Sequence, residues 1–527
     1  MNDTVAAIAP GAAVLFRAQT PLSRGENVLV TIPLLSFVAK DEATLTDTAG
    51  NVLPDALSHF AHSYATSNEP TIPLPDDVYQ RSFVDWIKSL VPGVWFGLDN
   101  EPDIWQVHHG VIQPHPTYDE VITRNKRYAK MITDVIPDAT IFGPVLSGWE
   151  GARTLHGDTI PATWFIDDYL TSMQSAEADP VYGNRQLLHV LDVHWYPQKR
   201  LFIDKDHDGL QNRAWKNPAN HEEGIVEPNY YWDKNGNGKM DRTNDPLTDE
   251  YEFTPVNEAS EIPQPDQPHA GVTAAQRAEL VGQLVQARLD APRSLWDPDY
   301  KEDSFIQRMN GDAAIAFLPT LKKHIADHYP KVGIGLTEYY FGGKDDMTGA
   351  LAQADALGIF AREGVFAAAF WEYGTPNEKP FPKPFPYPYA AFDMFQKYDG
   401  GIGKIGTQCC TSTTSDKATS SIYGTNGIGT QLIAVALNRS SAEKLARLQI
   451  QSCHCYDRYV VYQLTGTSPA NTVSVSPLRQ SAPGAVVESQ INAVRFKMPA
   501  YSISTIVAYR KPSPPPFVFR TGNCKDW

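Results

Sequence analysis

The feature that most constrains the fold of this chain is an alternation, between residues 27 and 374, of short apolar runs with longer segments of helical period. The intervening segments, such as 77–90 and 122–136, carry apolar residues on one face, as crossover helices do. This pattern predicts parallel β/α units and a (β/α)8 barrel of the TIM type. The predicted strands are 27–34, 93–98, 140–145, 188–195, 332–336 and 365–371.

These six strands are fewer than the eight of a closed barrel. Residues 1–26 leave too little room for the two remaining β/α units. We therefore expect the first barrel strands to be missing from this sequence, so that about six of the strands are visible.

The character of the chain changes twice outside these units. A stretch rich in Pro, Asn and Asp at 199–265 interrupts the alternation and is predicted to be an insertion. The segment 389–398 is predicted to be the last barrel helix, which extends the barrel domain over residues 1–400. Runs rich in Thr, Ser and Val then predict a β-sandwich over 401–510, followed by a Pro-rich tail at 511–527. The clearest sandwich strands are 431–438, 458–465 and 502–509.

Composition excludes several classes of partner. The formal charge of −16 argues against nonspecific attraction to nucleic acid or to an anionic membrane. No apolar run approaches the roughly 20 residues of a membrane helix. The 11 Trp and 24 Tyr residues suit a sugar ligand, because flat rings stack on sugar faces, although most such rings are expected in the core. The five cysteines suggest a disulfide between the 409/410 and 453/455 pairs, with one thiol left over.

Two glutamates follow apolar strands and are the candidate catalytic pair. Glu101 lies in the sequence Asn100-Glu101-Pro102 after the run VWFG, and Glu338 lies in GIGLTEYY. Both should lie at the carboxyl ends of barrel strands, where barrel active sites form. Glycoside cleavage needs one carboxyl group that holds a proton and another that stays ionised. Asn100 is a candidate to bind the sugar 2-hydroxyl.

A single strand-end glutamate is more often a helix cap or a partner of arginine than a catalyst. Here other strand ends carry functional groups too. The segment LLHVLDVHWYP ends on His194, Trp195 and Tyr196, and VFAAAFWEYG contains Trp371 and Glu372. The convergence of polar and aromatic groups at several strand ends favours a catalytic site.

Several segments of the chain carry a family likeness. They are LDNEPDIW, IFGPVLSGW, WFIDDYL, LLHVLDVHWYP, APRSLWDPDYKEDSFI, TEYYFGG and AQADALGIFAREGVFAAAFW. Together they resemble glycoside hydrolase family 44, whose members are endoglucanases and xyloglucanases with a (β/α)8 barrel and a β-sandwich. The resemblance runs from about Thr31 to Tyr509, with the insertion unmatched. It implies that Glu101 is the acid/base, that Glu338 is the nucleophile and that the anomeric configuration is retained.

The same resemblance implies further contacts with a β-1,4-glucan substrate and an extracellular location, although the first residues do not look like a signal peptide. For Trp105 and Trp371, stacking on sugar and packing in the core remain equally open. The residues implied as substrate contacts, besides Asn100, are Trp105, His194, Trp195, Tyr196, Tyr340 and Trp371.

Within the insertion, DKDHDGLQN and DKNGNGKMD place oxygen-bearing side chains at every second position before a glycine. This spacing is typical of calcium loops. The glutamate expected at position 12 of an EF-hand is replaced by Trp215 and Asn244, so we expect structural calcium sites rather than EF-hands, with solvated turns as the alternative. The candidate ligands are Asp204, Asp206, Asp208, Asn212, Asp233, Asn235, Asn237 and Asp241.

Two other functions remain open. A different retaining barrel hydrolase, such as a mannanase, would use the same pair of glutamates. An incomplete barrel would favour a noncatalytic, calcium-stabilised carbohydrate-binding protein.

Overall fold

A computed structural model gives the fold of the chain in two compact units. The barrel unit comprises Met1–Tyr196, Leu318–Tyr339 and Val365–Glu378, and the sandwich unit comprises Pro197–Phe317, Tyr340–Gly364 and Lys379–Trp527. Since this division follows no single chain position, the domain boundaries at residues 400 and 510 stay predictions. The structure describes residues 18–19, 21–40, 53–113, 115–155, 163–197, 199–202, 215–216, 223–224, 250–253, 274–302, 304, 306–307, 310–311, 313–371, 385–427, 429–452, 454–467 and 477–511.

The described strands and helices are numbered in chain order. The strands are β1 (Leu29–Ile32), β2 (Phe37–Ala39), β3 (Phe60–Tyr64), β4 (Val78–Tyr79), β5 (Trp95–Leu98), β6 (Ile141–Leu146), β7 (Val190–Val193), β8 (Lys199–Phe202), β9 (Trp215–Lys216), β10 (Glu223–Gly224), β11 (Glu250–Phe253), β12 (Gly333–Tyr339), β13 (Ala367–Phe370), β14 (Cys409–Cys410), β15 (Ser420–Asn426), β16 (Gln431–Asn438), β17 (Lys444–Gln449), β18 (Tyr456–Thr465), β19 (Leu478–Ser481), β20 (Val486–Gln490), β21 (Ala493–Met498) and β22 (Ser502–Arg510). The α-helices are α1 (Gln80–Leu90), α2 (Trp105–His109), α3 (Tyr118–Val135), α4 (Trp149–Thr154), α5 (Phe165–Glu177), α6 (Ala274–Asp290), α7 (Phe317–His328), α8 (Met347–Glu363) and α9 (Pro386–Gln396).

The barrel unit is built on a parallel sheet of six strands in the order β1-β5-β6-β7-β12-β13. All six predicted strands are confirmed, and the sheet with its helices is a partial TIM barrel. Every residue of β6 and β7 is buried, because a parallel sheet covered by crossover helices buries both of its faces. Among the described strands, β1 and β13 form the two edges of this sheet, and their carboxyl ends share one side of it with those of the other strands.

Two smaller features were not predicted. Strand β2 pairs antiparallel with β3, and β3 pairs parallel with β4, which forms a three-stranded sheet in the chain between β1 and α1. In the predicted insertion, β8 pairs with β11 and β9 pairs with β10, both antiparallel. The strands of these sheets are two to five residues long, so they give little hydrophobic period for a sequence pattern to reveal.

The predicted β-sandwich is confirmed in the sandwich unit. One antiparallel sheet has the order β14-β15-β16-β22-β18-β19, and a second has the order β17-β21-β20. Apolar side chains from both sheets form a shared core, which includes Val461 and Ile506 from the first sheet and Val494 and Phe496 from the second. Alternate residues of β21 are buried, as expected for strands that present one face to this core.

Helices α8 and α9 pack against the larger sandwich sheet within the same unit. Their core includes Leu351 of α8 and Met394 of α9 together with Leu437 of β16 and Ile503 of β22. The predicted helix at 389–398 is present as α9, displaced by a few residues, but it belongs to the sandwich unit and not, as expected, to the barrel unit. Among the described residues, no helix combines the length and apolar character needed to cross a membrane.

Cys409 and Cys410 lie on the exposed strand β14 as free thiols. The disulfide predicted from this pair is therefore wrong. Both side chains are exposed at the sheet edge, and the Sγ of Cys409 lies 3.5 Å from the carbonyl oxygen of Ala361. Spacing between cysteine pairs in sequence could not give this orientation.

Candidate active site

Glu101 follows β5 in an unusual backbone conformation that aims its side chain. Its φ of 49° and ψ of 58° lie in the left-handed region, which a residue with a Cβ adopts at a cost of about 1–2 kcal/mol. Its backbone N–H donates to the carbonyl of Val145 on β6 at 2.8 Å, and its carbonyl accepts from Ile104 at 3.0 Å. Pro102, with its fixed φ, begins the short 3-10 turn Pro102–Ile104 that follows. The hydrogen bond to the end of β6 helps to maintain this strained conformation.

Two buried carboxylates fix the loops on either side of Glu101. The Asp99 carboxylate accepts from the backbone N–H of Leu34, after β1, at 2.5 Å and from that of Asn100 at 2.8 Å. The Asp103 carboxylate accepts from both the N–H and the hydroxyl of Ser147, after β6. Burial raises the pKa of each of these carboxyl groups to about 6. Hydrogen bonds thus join the carboxyl ends of β1, β5 and β6.

His194, which follows β7, links the two predicted catalytic residues. Its ring is fully buried, and Nδ1 lies 2.8 Å from Oε1 of Glu101 and 3.5 Å from Oε2 of Glu338. Burial lowers the pKa of His194, but the hydrogen bond to Glu101 and the charges of Glu338, Asp192 and Glu101 together raise it above the ordinary value. The site therefore favours the cationic form of the imidazole more than water does.

The other side of the ring places a hydrogen-bond acceptor beside Nε2. Nε2 of His194 lies 3.2 Å from the Thr337 hydroxyl, and that hydroxyl lies 2.6 Å from Oδ2 of Asp192. The Thr337 hydroxyl donates its single proton to Oδ2 of Asp192, which leaves Oγ1 to accept from Nε2–H of His194. In its cationic form His194 in addition directs Nδ1–H at Oε1 of Glu101. The backbone N–H of Thr337 also donates to Asp192, at 3.0 Å.

Glu338 lies on β12, with its carboxylate held by a tyrosine. The hydroxyl of Tyr196 donates to Oε2 of Glu338 at 2.9 Å. Burial raises the pKa of Glu338, opposed by the positive charge of His194 and by the Tyr196 hydrogen bond, while the charge of Glu101 adds to the rise. Burial and the nearby Glu338 carboxylate also raise the pKa of Tyr196, so this hydroxyl remains a donor.

The two glutamates are close enough to act on one bond. One carboxylate oxygen of Glu101, one of Glu338 and a ring nitrogen of His194 all lie within 4.8 Å of one another. The same three groups have the composition of a metal site, but the ring of His194 is fully buried, so it offers no exposed nitrogen to an ion. The arrangement suits proton transfer and charge stabilisation better than coordination.

The predicted substrate contacts fall into two groups. Asn100 is exposed, and Trp371, directly after β13, exposes 39% of its surface, so both have surface available for a ligand. Trp105 is buried, and its indole N–H donates to the carbonyl of Asn100 at 3.0 Å. Trp195 is also fully buried. For Trp105, burial favours packing in the core over stacking on sugar, the two roles that the sequence leaves open, and the fully buried Trp195 has no surface for the direct contact implied by the resemblance.

Tyr340 belongs to the sandwich unit and is 7% exposed. Glu372 lies outside the described residues. All eight candidate calcium ligands also lie outside them, so the calcium sites stay a prediction: Asp204, Asp206, Asp208, Asn212, Asp233, Asn235, Asn237 and Asp241.

Sequence reasoning missed Asp192 and Thr337. Thr337 contacts Nε2 of His194, and Asp192 accepts the Thr337 hydroxyl proton. A signal for both existed, since each is a polar residue that follows an apolar run within a strand, in VLDV and in GIGLTEY. Asp99 and Asp103, beside Glu101, were missed as well. Their role depends on the loops that follow β1 and β6, which sequence does not place.

Comparisons with known proteins agree with this geometry. The model of glycoside hydrolase family 44 matches residues 18–199. Endoglucanase A of Paenibacillus lautus is 27% identical over 453 residues, which are 82% of this chain and 53% of that protein. Beta-mannanase/endoglucanase A of Caldicellulosiruptor saccharolyticus is 26% identical over 492 residues, which are 87% of this chain and 31% of that protein. The chain thus spans about half, or less, of the curated relatives it matches.

A solved structure extends the likeness to the fold. The family 44 xyloglucanase of Paenibacillus polymyxa superposes with a TM-score of 0.67 at 23% identity, over 95% of this chain and 84% of that one. The match of the family model to residues 18–199, the two curated relatives and the shared fold all agree with the resemblance of this chain to glycoside hydrolase family 44.

Proposed function

We propose that this protein is an endo-acting, retaining glycoside hydrolase that cleaves β-1,4-glucan backbones of the cellulose and xyloglucan type. The observation that carries the proposal is the cluster of Glu101, His194 and Glu338, whose reactive atoms lie within 4.8 Å of one another. Retaining enzymes hold their two carboxyl groups about 5–5.5 Å apart, whereas inverting enzymes leave roughly 6.5–9.5 Å for a water molecule. Close approach of the two carboxylates supports the retaining mechanism.

In the first step Glu101 gives its proton to the glycosidic oxygen while a carboxylate oxygen of Glu338 attacks the anomeric carbon. The bond to the departing sugar breaks, and a glycosyl ester of Glu338 forms. His194, as a cation 2.8 Å from Glu101 and 3.5 Å from Glu338, stabilises whichever carboxylate is ionised. Tyr196 orients the Glu338 carboxylate through its hydrogen bond at 2.9 Å.

In the second step the roles reverse. Glu101, now ionised, removes a proton from water, and the hydroxide oxygen attacks the anomeric carbon. The ester bond to Glu338 breaks and the carboxylate is restored. Two inversions give a product with the configuration of the substrate. Asn100 and Trp371 have exposed surface with which to bind the sugar hydroxyls and a sugar face.

A mannan backbone is the second candidate substrate. The name of one relative, a beta-mannanase/endoglucanase, favours this alternative, and the same two-glutamate chemistry would serve it. A noncatalytic carbohydrate-binding protein is disfavoured by the paired carboxylates, because binding sugar hydroxyls does not need a cationic histidine between two glutamates.

The test is reducing-sugar release from xyloglucan, carboxymethyl cellulose and mannan by the full chain, with Glu101→Gln/Glu338→Gln as the control for contaminating activity. We expect hydrolysis of the glucans above that control, and early NMR spectra that show the β-anomer. Binding of xyloglucan without hydrolysis would reject the enzymatic proposal. Early α-anomer would reject retention, and preference for mannan would replace the substrate assignment.

We also propose that calcium bound by the loops at 204–212 and 233–241 stabilises the predicted insertion, on the strength of their alternating oxygen ligands. Calcium should then raise the melting temperature and protect residues 199–265 from protease. Asp206→Ala plus Asp233→Ala should abolish both effects. Absence of calcium uptake by the wild type would reject the sites.

We also propose that the protein acts outside the cell, because its proposed substrate is a polysaccharide.

A further inference from the structure

A second cluster of ionisable side chains lies on two helices of the barrel unit. Asp167 is in the first turn of α5, and His324 and His328 are separated by one turn at the carboxyl-terminal end of α7. Possible ligand atoms of all three side chains lie within 4.8 Å of one another. None of these residues takes part in the proposed hydrolysis.

The spacing within the cluster is close to that of a coordination sphere. Oδ1 of Asp167 lies 2.6 Å from Nδ1 of His324 and 3.1 Å from Nε2 of His328. Ligand atoms about 2.0–2.1 Å from a tetrahedral zinc ion are about 3.3 Å apart. Binding of an ion therefore requires the Asp167–His324 distance to open by about 0.7 Å and the Asp167–His328 distance by about 0.2 Å. The side chains of His324 and His328 are 17% and 32% exposed, so an ion can reach them.

Other contacts of the three side chains restrain their orientation. Nδ1 of His328 lies 3.0 Å from the hydroxyl of Thr171, which leaves Nε2 directed at Asp167. The ring of His324 lies against the Trp164 ring, with centroids 4.4 Å apart. Oδ2 of Asp167 accepts from the backbone N–H of Trp164 at 3.1 Å, which leaves Oδ1 for an ion. Metal-binding histidines use such partners on their second nitrogen to set ring orientation.

We propose that Asp167, His324 and His328 form a binding site for a zinc-class divalent cation that cross-links α5 to α7. Two imidazoles and one carboxylate select Zn²⁺, Co²⁺ or Ni²⁺ over Ca²⁺ and Mg²⁺, which prefer oxygen ligands throughout. A water molecule completes the tetrahedron. The metal joins the helix that precedes β7, which ends just before His194, with the helix that precedes β12, which carries Glu338.

The experiment compares zinc uptake by the wild type with that of His324→Gln/His328→Gln, after EDTA treatment and removal of the chelator. Zinc titration by calorimetry should show one more equivalent bound by the wild type. Cobalt should give visible d–d bands in the wild type that the double variant lacks. Because the catalytic cluster and the predicted calcium loops are intact in both proteins, the difference reports this cluster alone.

Stability gives the second readout. Zinc should raise the melting temperature of the wild type and of His59→Ala, which alters a separate ion pair with Asp55, but not that of the double variant. If the double variant does not fold, His328→Gln alone should weaken zinc affinity at least about tenfold, because three ligands become two. Equal zinc stoichiometry and affinity in wild type and variants would overturn the proposal. The three side chains would then form a hydrogen-bonded cluster that binds no metal.

Discussion

Buried polar side chains occur in both large sheets of this molecule, but their partners differ. In the sandwich sheet, Asn438 donates to the carbonyls of Ala442 and Pro499, both at 2.8 Å. In the parallel sheet, the buried His194 instead contacts Glu101 and Thr337, side chains that carry or share protons. The hydrogen bonds of Asn438 satisfy backbone carbonyl groups, and the neutral amide has no proton to transfer.

The difference distinguishes buried polar groups that stabilise the fold from buried polar groups that can take part in a reaction. A neutral amide bound to carbonyls is fully satisfied, and its removal leaves acceptors unpaired. A histidine between two carboxylates keeps charges close together in a buried place, which costs stability and provides reactivity. Substitutions in the sandwich sheet should therefore reduce stability and spare activity, whereas substitutions at the strand ends should do the reverse.

The largest expected effect is on turnover in Glu338→Gln. A neutral amide can neither attack the anomeric carbon nor stabilise its positive charge, so hydrolysis of xyloglucan should fall on the order of a thousandfold or more. The melting temperature should hold or rise, since a buried carboxyl group with a raised pKa is replaced by an amide. A variant that retains more than about a tenth of the activity would reject the nucleophile assignment.

Glu101→Gln is the matched variant for the acid/base role. It should lose about 10²–10⁴-fold on xyloglucan but much less on an aryl glycoside with a good leaving group, because that bond breaks with little protonation. Steady-state kinetics on both substrates makes the comparison. Equal losses on the two substrates would count against Glu101 as the acid.

The positions of these glutamates could be predicted from sequence because a strand end is a local feature. Apolar runs gave all six parallel strands, and the residue after each run is at the carboxyl edge of the sheet. The network below His194 could not be predicted, because it depends on strand register. Asp192 meets Thr337 only because β7 pairs with β12 so that Asp192 lies opposite Gly335. The burial of Trp105 likewise depends on packing that sequence leaves open.

Asn438→Ala should have the next largest effect, on stability. The substitution removes donors to three carbonyl groups, of Ala442, Met498 and Pro499, in a fully buried place. We expect the free energy of unfolding to fall by about 2–3 kcal/mol. Activity per folded molecule should match the wild type. Urea unfolding and an assay well below the transition measure both, and an equal loss of activity would remove the distinction between the sheets.

Asp99→Asn tests the stability cost of a buried carboxyl group beside the site. Burial raises the pKa of Asp99 from an ordinary 3.8 to about 6, so between these values the folded protein holds a proton that the unfolded chain has released. Stability that is present below about pH 4 is therefore lost as the pH rises through about 6. The asparagine variant should lose about 2 kcal/mol less over this interval than the wild type. Parallel stability curves for the two proteins would contradict the raised pKa.

Tyr196→Phe should have the smallest effect, and it separates orientation from chemistry at Glu338. The Tyr196 hydroxyl donates to Oε2 of Glu338 and opposes the rise that burial causes in the pKa of Glu338. Without this donor the pKa of Glu338 rises further, and a higher pH is needed to ionise it. We expect kcat/KM to fall about tenfold at neutral pH, with the acidic limb of its pH profile moved to higher pH.

Tyr459→Phe is the matched control. The Tyr459 hydroxyl donates to the carbonyl of Tyr456 at 2.9 Å in the sandwich sheet, and its removal should leave the pH profile unchanged. A uniform loss at all pH values in Tyr196→Phe would assign the hydroxyl to substrate binding instead, and an identical shift in the control would mean that the profile reports stability.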